Sequence, residues 1–167
     1  MLRNEIEKNE MFIQMSELVS PLGFKVVDAV RNESAAGVQL HLTVYCEDHE
    51  INTDDLAAVY NVVYPRYQVL LSARDLTLEV SSPGLQRNFK DVYEFTLFKG
   101  KLVKVYSLRF SSHIEGVIRQ TGDDSVELAD ACVMDTNEKF GSLVLPFEDI
   151  QKAKLTYRWE EKKKNGN

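Results

Sequence analysis

The stretch from Leu76 to Arg87 constrains this chain more than any other. Leu76, Leu78 and Val80 alternate with Thr77 and Glu79, the period of a strand with one buried face. That strand runs straight into Ser81-Ser82-Pro83-Gly84. Proline fixes φ and favours extended geometry in the residue before it, and the glycine that follows can take a positive φ. A turn of this kind predicts a hinge. The segments on its two sides obey different patterns, so the chain reads as two domains, 1–86 and 87–159, with a disordered tail at 160–167.

Before the hinge, Met11, Met15, Leu18 and Leu22 recur at helical spacing with Phe12 and Val19 beside them, and Pro21 and Gly23 end that helix. Residues 24–30 form a short apolar run, and residues 32–37 are a polar loop of hairpin length. Val38, Leu40, Leu42, Val44 and Cys46 then alternate with polar neighbours as a strand. Thr53 is placed as the N-cap of a second helix, with Asp54 and Asp55 complementing its dipole and Pro65 stopping or kinking it. With the strand at 75–80, the order αββαβ predicts two helices on one face of a three-stranded sheet.

After the hinge, residues 89–98 predict a lead-in with a short helix. Short runs rich in β-branched and aromatic residues follow at 102–108, 114–120, 126–129, 143–147 and 150–157, separated by turn residues. Close strands with regular turns predict a small barrel or sandwich, and Gly116 is placed where a sharp bend would close it. The fold class is therefore α+β: an α/β unit followed by a small β unit.

Charge narrows the function. The net charge of −6 argues against simple, non-specific binding to nucleic acid. Residues 1–88 hold seven of the basic and thirteen of the acidic side chains, whereas the remainder holds thirteen of each. The acidic half would suit a basic protein partner, although a merely soluble surface has the same composition. No apolar run is long enough to span a membrane, and the charged start is unlike a secretory signal. Cys46 and Cys132 lack ligand or disulfide spacing and read as buried thiols of a cytoplasmic protein.

Chemistry is hard to place. His41, His49 and His113 lack metal-ligand spacing. Ser81 and Ser82 lack a nucleophile elbow and read as turn-shaping hydroxyls. Asp54 and Asp55 are an acid pair, but a helix start explains them more simply. No phosphate-binding glycine loop is present, and no cofactor or enzymatic activity is expected. Lys162, Lys163 and Lys164 could touch RNA phosphates, though Glu160 and Glu161 weaken their field. Arg87, just after the turn, would either fix the domain orientation through a carboxylate or carbonyl partner, or project to a ligand.

The segment LEVSSPGLQR resembles the LEVSSPGLDRP signature of the ribosome maturation factor RimP family. Pro21 to Asp28 is similar to that family's entry into its first strand, Ile51 to Leu56 to the start of its second helix, and Ile114-Glu115-Gly116 to its barrel F-x-G. The resemblance runs from about Ile6 to Tyr157. It implies an SH3- or Sm-like barrel after the hinge. It also implies a non-catalytic cytoplasmic factor for late maturation of the 30S small ribosomal subunit, associated with the basic ribosomal protein S12. The alternative is an RNA-binding or protein-binding adaptor module whose barrel contacts RNA directly; contact with 16S rRNA and a monomeric state are expected. The junction residues Ser81, Ser82, Pro83, Gly84, Leu85 and Arg87 are the candidate partner-binding site. Gln86 replaces the family's usual Asp, Asn88 its usual Pro and Leu56 a frequent Cys, and residues 131–142 read as a lengthened loop.

Overall fold

A computed structural model describes residues 2–72 and 75–157. The predicted tail at 160–167 lies outside them. By contacts the chain divides into two compact units, one from Glu5 to Pro83 and the other from Gly84 onward together with the residues up to Asn4.

The first unit is built in the order α1 (Glu10–Val19), β1 (Lys25–Ser34), β2 (Gly37–Tyr45), α2 (Thr53–Leu71) and β3 (Leu76–Ser81). Its sheet has the order β1-β2-β3. β1 and β2 form an antiparallel hairpin, and β3 returns parallel to β2 after the α2 crossover. Phe12, Met15 and Val19 of α1 and Val59, Val63 and Tyr67 of α2 are buried with Leu40, Leu42, Val44, Leu76 and Leu78 of the sheet. The Tyr67 hydroxyl donates to Gln14 Oε1 at 3.2 Å, tying the two helices at their buried side.

Three local expectations shift. The hairpin loop contracts to Ala35 and Ala36, because β1 continues to Ser34. The helix cap is Asn52 rather than Thr53: its side chain accepts from the Asp55 amide while Asp55 accepts from the Asn52 amide, a capping box. Pro65 neither ends α2 nor bounds it, since the helix runs on to Leu71. Val59, Val63 and Tyr67 bury one face on both sides of the proline, and that packing outweighs the one backbone bond it removes. Gly37, at φ 134°, is demanded by a close approach: a Cβ there would meet the Asp75 carbonyl oxygen at 2.2 Å.

The second unit has a lead-in, α3 (Tyr93–Leu97), and five strands: β4 (Leu102–Ser107), β5 (Ser112–Thr121), β6 (Ser125–Val133), β7 (Lys139–Pro146) and β8 (Ile150–Leu155). They pair antiparallel in the order β7-β6-β5-β4-β8. Among the described residues β7 and β8 stay at opposite ends of the row, so no hydrogen-bonded ladder closes the strands into a barrel. Residues 131–142 are mostly strand; the β6–β7 connection is only Met134–Glu138. At Gly116 the β5–β6 register shifts, and a Cβ would sit 2.9 Å from the Leu128 Cβ. The glycine thus lets the two strands close up at a bulge.

Candidate functional site

The candidate junction residues fall at the boundary between the two contact units. On the first unit, Ser81 ends β3, and its hydroxyl lies 2.9 Å from His41 Nε2 on β2. Thr43, not His41, is the register partner of Ser81, so the bond is a diagonal one across the parallel pair. The hydroxyl therefore fastens the last residue of the strand to its neighbour instead of shaping the turn. Ser82 follows as an exposed residue and Pro83 is half-buried.

On the second unit the turn is Gly84-Leu85-Gln86-Arg87, closed by the Arg87 amide donating to the Gly84 carbonyl at 3.1 Å. Gly84 is not among the glycines with positive φ, and open space surrounds a Cβ built on it. The turn therefore uses a conformation available to other residues. Leu85 is 65% exposed, the largest apolar surface of the segment.

Arg87 has a definite partner. Its Nε donates to Glu94 Oε1 at 2.8 Å, and the Glu94 side chain is 1% exposed. The second carboxylate oxygen of Glu94 accepts from the backbone amides of Lys90 at 2.7 Å and Asp91 at 3.2 Å. A buried carboxylate needs such donors, and here it collects one guanidinium and two amides. Residues 87–89 also pair with β8: the Leu155 amide donates to the Arg87 carbonyl and the Phe89 amide to the Ala153 carbonyl. They cover the outer edge of that strand. Phe89 then meets Phe95 edge to face and stacks on Phe98, and both partners are buried in the core at α3. Glu94 escaped the sequence reading because a carboxylate between Tyr93 and Phe95 has no apolar periodicity to mark it as buried.

The other candidates resolve locally. His49 Nε2 lies 2.8 Å from Asp55 Oδ2, and its Nδ1 lies 3.6 Å from the Cys46 thiol. The Asn52 amide above all, with the His49 bond, holds the Asp55 carboxyl below its ordinary range. Asp54 is exposed and does not share this bonding. The acids therefore belong to a helix start rather than to a paired acid–base site. Among the described residues no group of three His, Cys, Asp or Glu side chains is disposed to hold a metal, and no helix is long and apolar enough to cross a membrane. Lys162, Lys163 and Lys164 lie outside the described residues.

Similarity to known proteins follows the same segments. Residues 14–86 match the family model of the RimP N-terminal domain. The ribosome maturation factor RimP of Borrelia hermsii is 22% identical over 151 residues, which are 90% of this chain and 97% of that protein. The corresponding protein of Borrelia garinii subsp. bavariensis is 24% identical over 149 residues, 89% of this chain and 95% of its own. Among solved structures, a Sm-like archaeal protein from Pyrobaculum aerophilum is 24% identical, covering 40% of this chain and 52% of its own, with a TM-score of 0.36. A heptameric archaeal Sm protein is 22% identical over 38% of this chain and 97% of its own, with a TM-score of 0.34. Residues 14–86 thus match a RimP N-terminal domain, and the chain is similar to ribosome maturation factors RimP along about nine-tenths of its length.

Proposed function

We propose that this protein is a non-catalytic factor for late maturation of the 30S subunit, acting in the cytoplasm as a monomer. The observation that carries the reading is the alignment with ribosome maturation factors from end to end of their length. In this reading the chain is two domains, 1–86 and 87–159, joined by the Ser81–Arg87 segment. The acidic first domain would meet a basic ribosomal protein, S12. Its β2–α2 loop carries exposed Glu47, Asp48 and Glu50, and the first turn of α2 adds exposed Asp54, the charge that steers a basic partner. Exposed Leu85 supplies an apolar contact at the junction.

Co-sedimentation tests the reading. The purified protein should travel with immature small subunits and not with mature 70S ribosomes. Replacing Pro83 with glycine should weaken that association while circular dichroism stays unchanged, because the loosened segment must be ordered on binding. Absence from both particle fractions at low and moderate salt would remove the assembly role.

A further inference from the structure

The outward face of the second unit carries a feature that the similarity to RimP does not explain. β4, β5 and β8 alternate, burying Val103, Val105, Ile114 and Ala153 and turning the residues between them outward. The register then sets two rows side by side. Lys152 lies opposite Tyr106, which lies opposite His113; Lys154 lies opposite Lys104, which lies opposite Glu115. Lys104, Tyr106, His113, Lys152 and Lys154 of these rows, with Asn88 and Ala153, line a basin of about 170 Å³. Ligand pockets for whole cofactors run from roughly 300 Å³ upward, so this one fits a chemical group on a longer molecule.

We propose that this basin binds single-stranded RNA, seating a backbone phosphate among Lys104, Lys152 and Lys154 and a base against Tyr106. The first argument is electrostatic. Lys104 and Lys154 are direct cross-strand partners, and like charges in that position destabilise a sheet. Three ammonium groups face one carboxylate partner, Glu115, across the grid. A phosphate would relieve this repulsion and release counterions as it bound. His113 reports the same field: burial first, then Lys104 and Lys152 against the opposing Asp135, with Lys154 adding, holds its pKa below the usual 6.5.

The second argument is the aromatic. The Tyr106 and His113 rings meet edge to face, 5.0 Å apart at 75°. That contact fixes the tyrosine in the middle of the lysines. A braced ring beside cations suits a nucleic-acid base, which stacks whatever its identity, better than an acidic peptide, which has no planar group to offer. Asn88, standing where the family usually has proline, adds an amide able to reach a ribose hydroxyl. The choice of RNA over DNA rests on the ribosomal reading above; the basin itself does not.

Fluorescence anisotropy of a labelled decauridine with the full chain, titrated across salt, tests the proposal. A Lys152→Ala, Lys154→Ala double variant should bind more weakly, with the salt slope reduced by about 0.7 for the one phosphate the basin seats. Tyr106→Phe should bind like the wild type, whereas Tyr106→Leu should lose about five- to a hundredfold. Equal decauridine binding by the wild type and the double variant would overturn the site. So would stronger competition by polyglutamate than by unlabelled decauridine, which would assign the basin to an acidic protein. Decauridine binding without subunit co-sedimentation supports the basin and removes the assembly role. Co-sedimentation without decauridine binding does the reverse.

Discussion

Glu94 shows how much of this fold turns on one side chain. Its carboxylate is buried and receives the Arg87 guanidinium and two backbone amides, so it ties the start of the second unit to the turn that precedes α3. Glu94→Ala would take from the Arg87 guanidinium, on a side chain only 13% exposed, the buried carboxylate it donates to, and would remove the acceptor that the Lys90 and Asp91 amides share. Breaking a buried pair by removing one partner costs about 3–5 kcal/mol, and urea unfolding should show a loss in that range. A loss under about 1 kcal/mol, the value of a surface ion pair, would contradict this role. Arg87 was visible in the sequence as a residue needing a partner, since it follows a Pro-Gly turn. Its partner was not, because residues 87–92 form no regular element before α3 begins, so no single period relates the two side chains. The glycines divide in the same way. Gly116 sat inside an alternating strand and suggested a bend that closes a barrel; what it provides is a register shift and a close approach to Leu128. Gly84 looked essential beside Pro83, yet its backbone is ordinary and its Cβ position is open.

At the scale of elements, periodicity located the structure and capping chemistry refined its ends. The alternation of β2 was legible because burial on one face imposes a period, whereas the face of α1 was read one residue off: Phe12, Met15 and Val19 are buried and Leu22 is exposed. The start of α2 was misplaced by one residue. Asn52 and Thr53 are both good caps, and the reciprocal bond with Asp55 decides for Asn52. Asn52→Ala should therefore cost about 1 kcal/mol, measurable as a lower urea midpoint. Asp55 adds a pH dependence whose sign is fixed. Its folded pKa is depressed, so its contribution is fully present above the unfolded value near 3.9 and is lost as pH falls through the folded value. Acid titration of Asp55→Asn should show a shallower loss below about pH 4 than the wild type. An unchanged acid limb would mean that the carboxylate is unpaired in solution. The sheet of the second unit was less legible. Strand count and turn spacing are common to barrels and open sheets, and which edges pair is a matter of tertiary register alone.

The whole molecule is less sequential than its sequence suggests. The Arg3 amide donates to the Lys90 carbonyl, and the Arg3 carbonyl accepts from the Val92 amide, so the first residues join the unit that follows the hinge. No local signal in residues 2–4 could announce this. A short charged stretch carries neither period, and its pairing is set by backbone groups of a segment almost ninety positions away. The consequence is specific. The Val92 amide, bonded to Arg3 at 2.8 Å, sits beside the Glu94 cluster at the start of α3. Removing residues 1–4 would leave that amide without its acceptor, while the β2–β3 ladder of the first unit keeps every bond. Hydrogen exchange should then show faster exchange at Val92 in the shortened chain and unchanged rates along Leu40 to Thr43. Equal protection of Val92 in both chains would mean that the terminal residues are not held there in solution. General acceleration in both units would instead mark a destabilisation reaching past the hinge, with the two units folding as one.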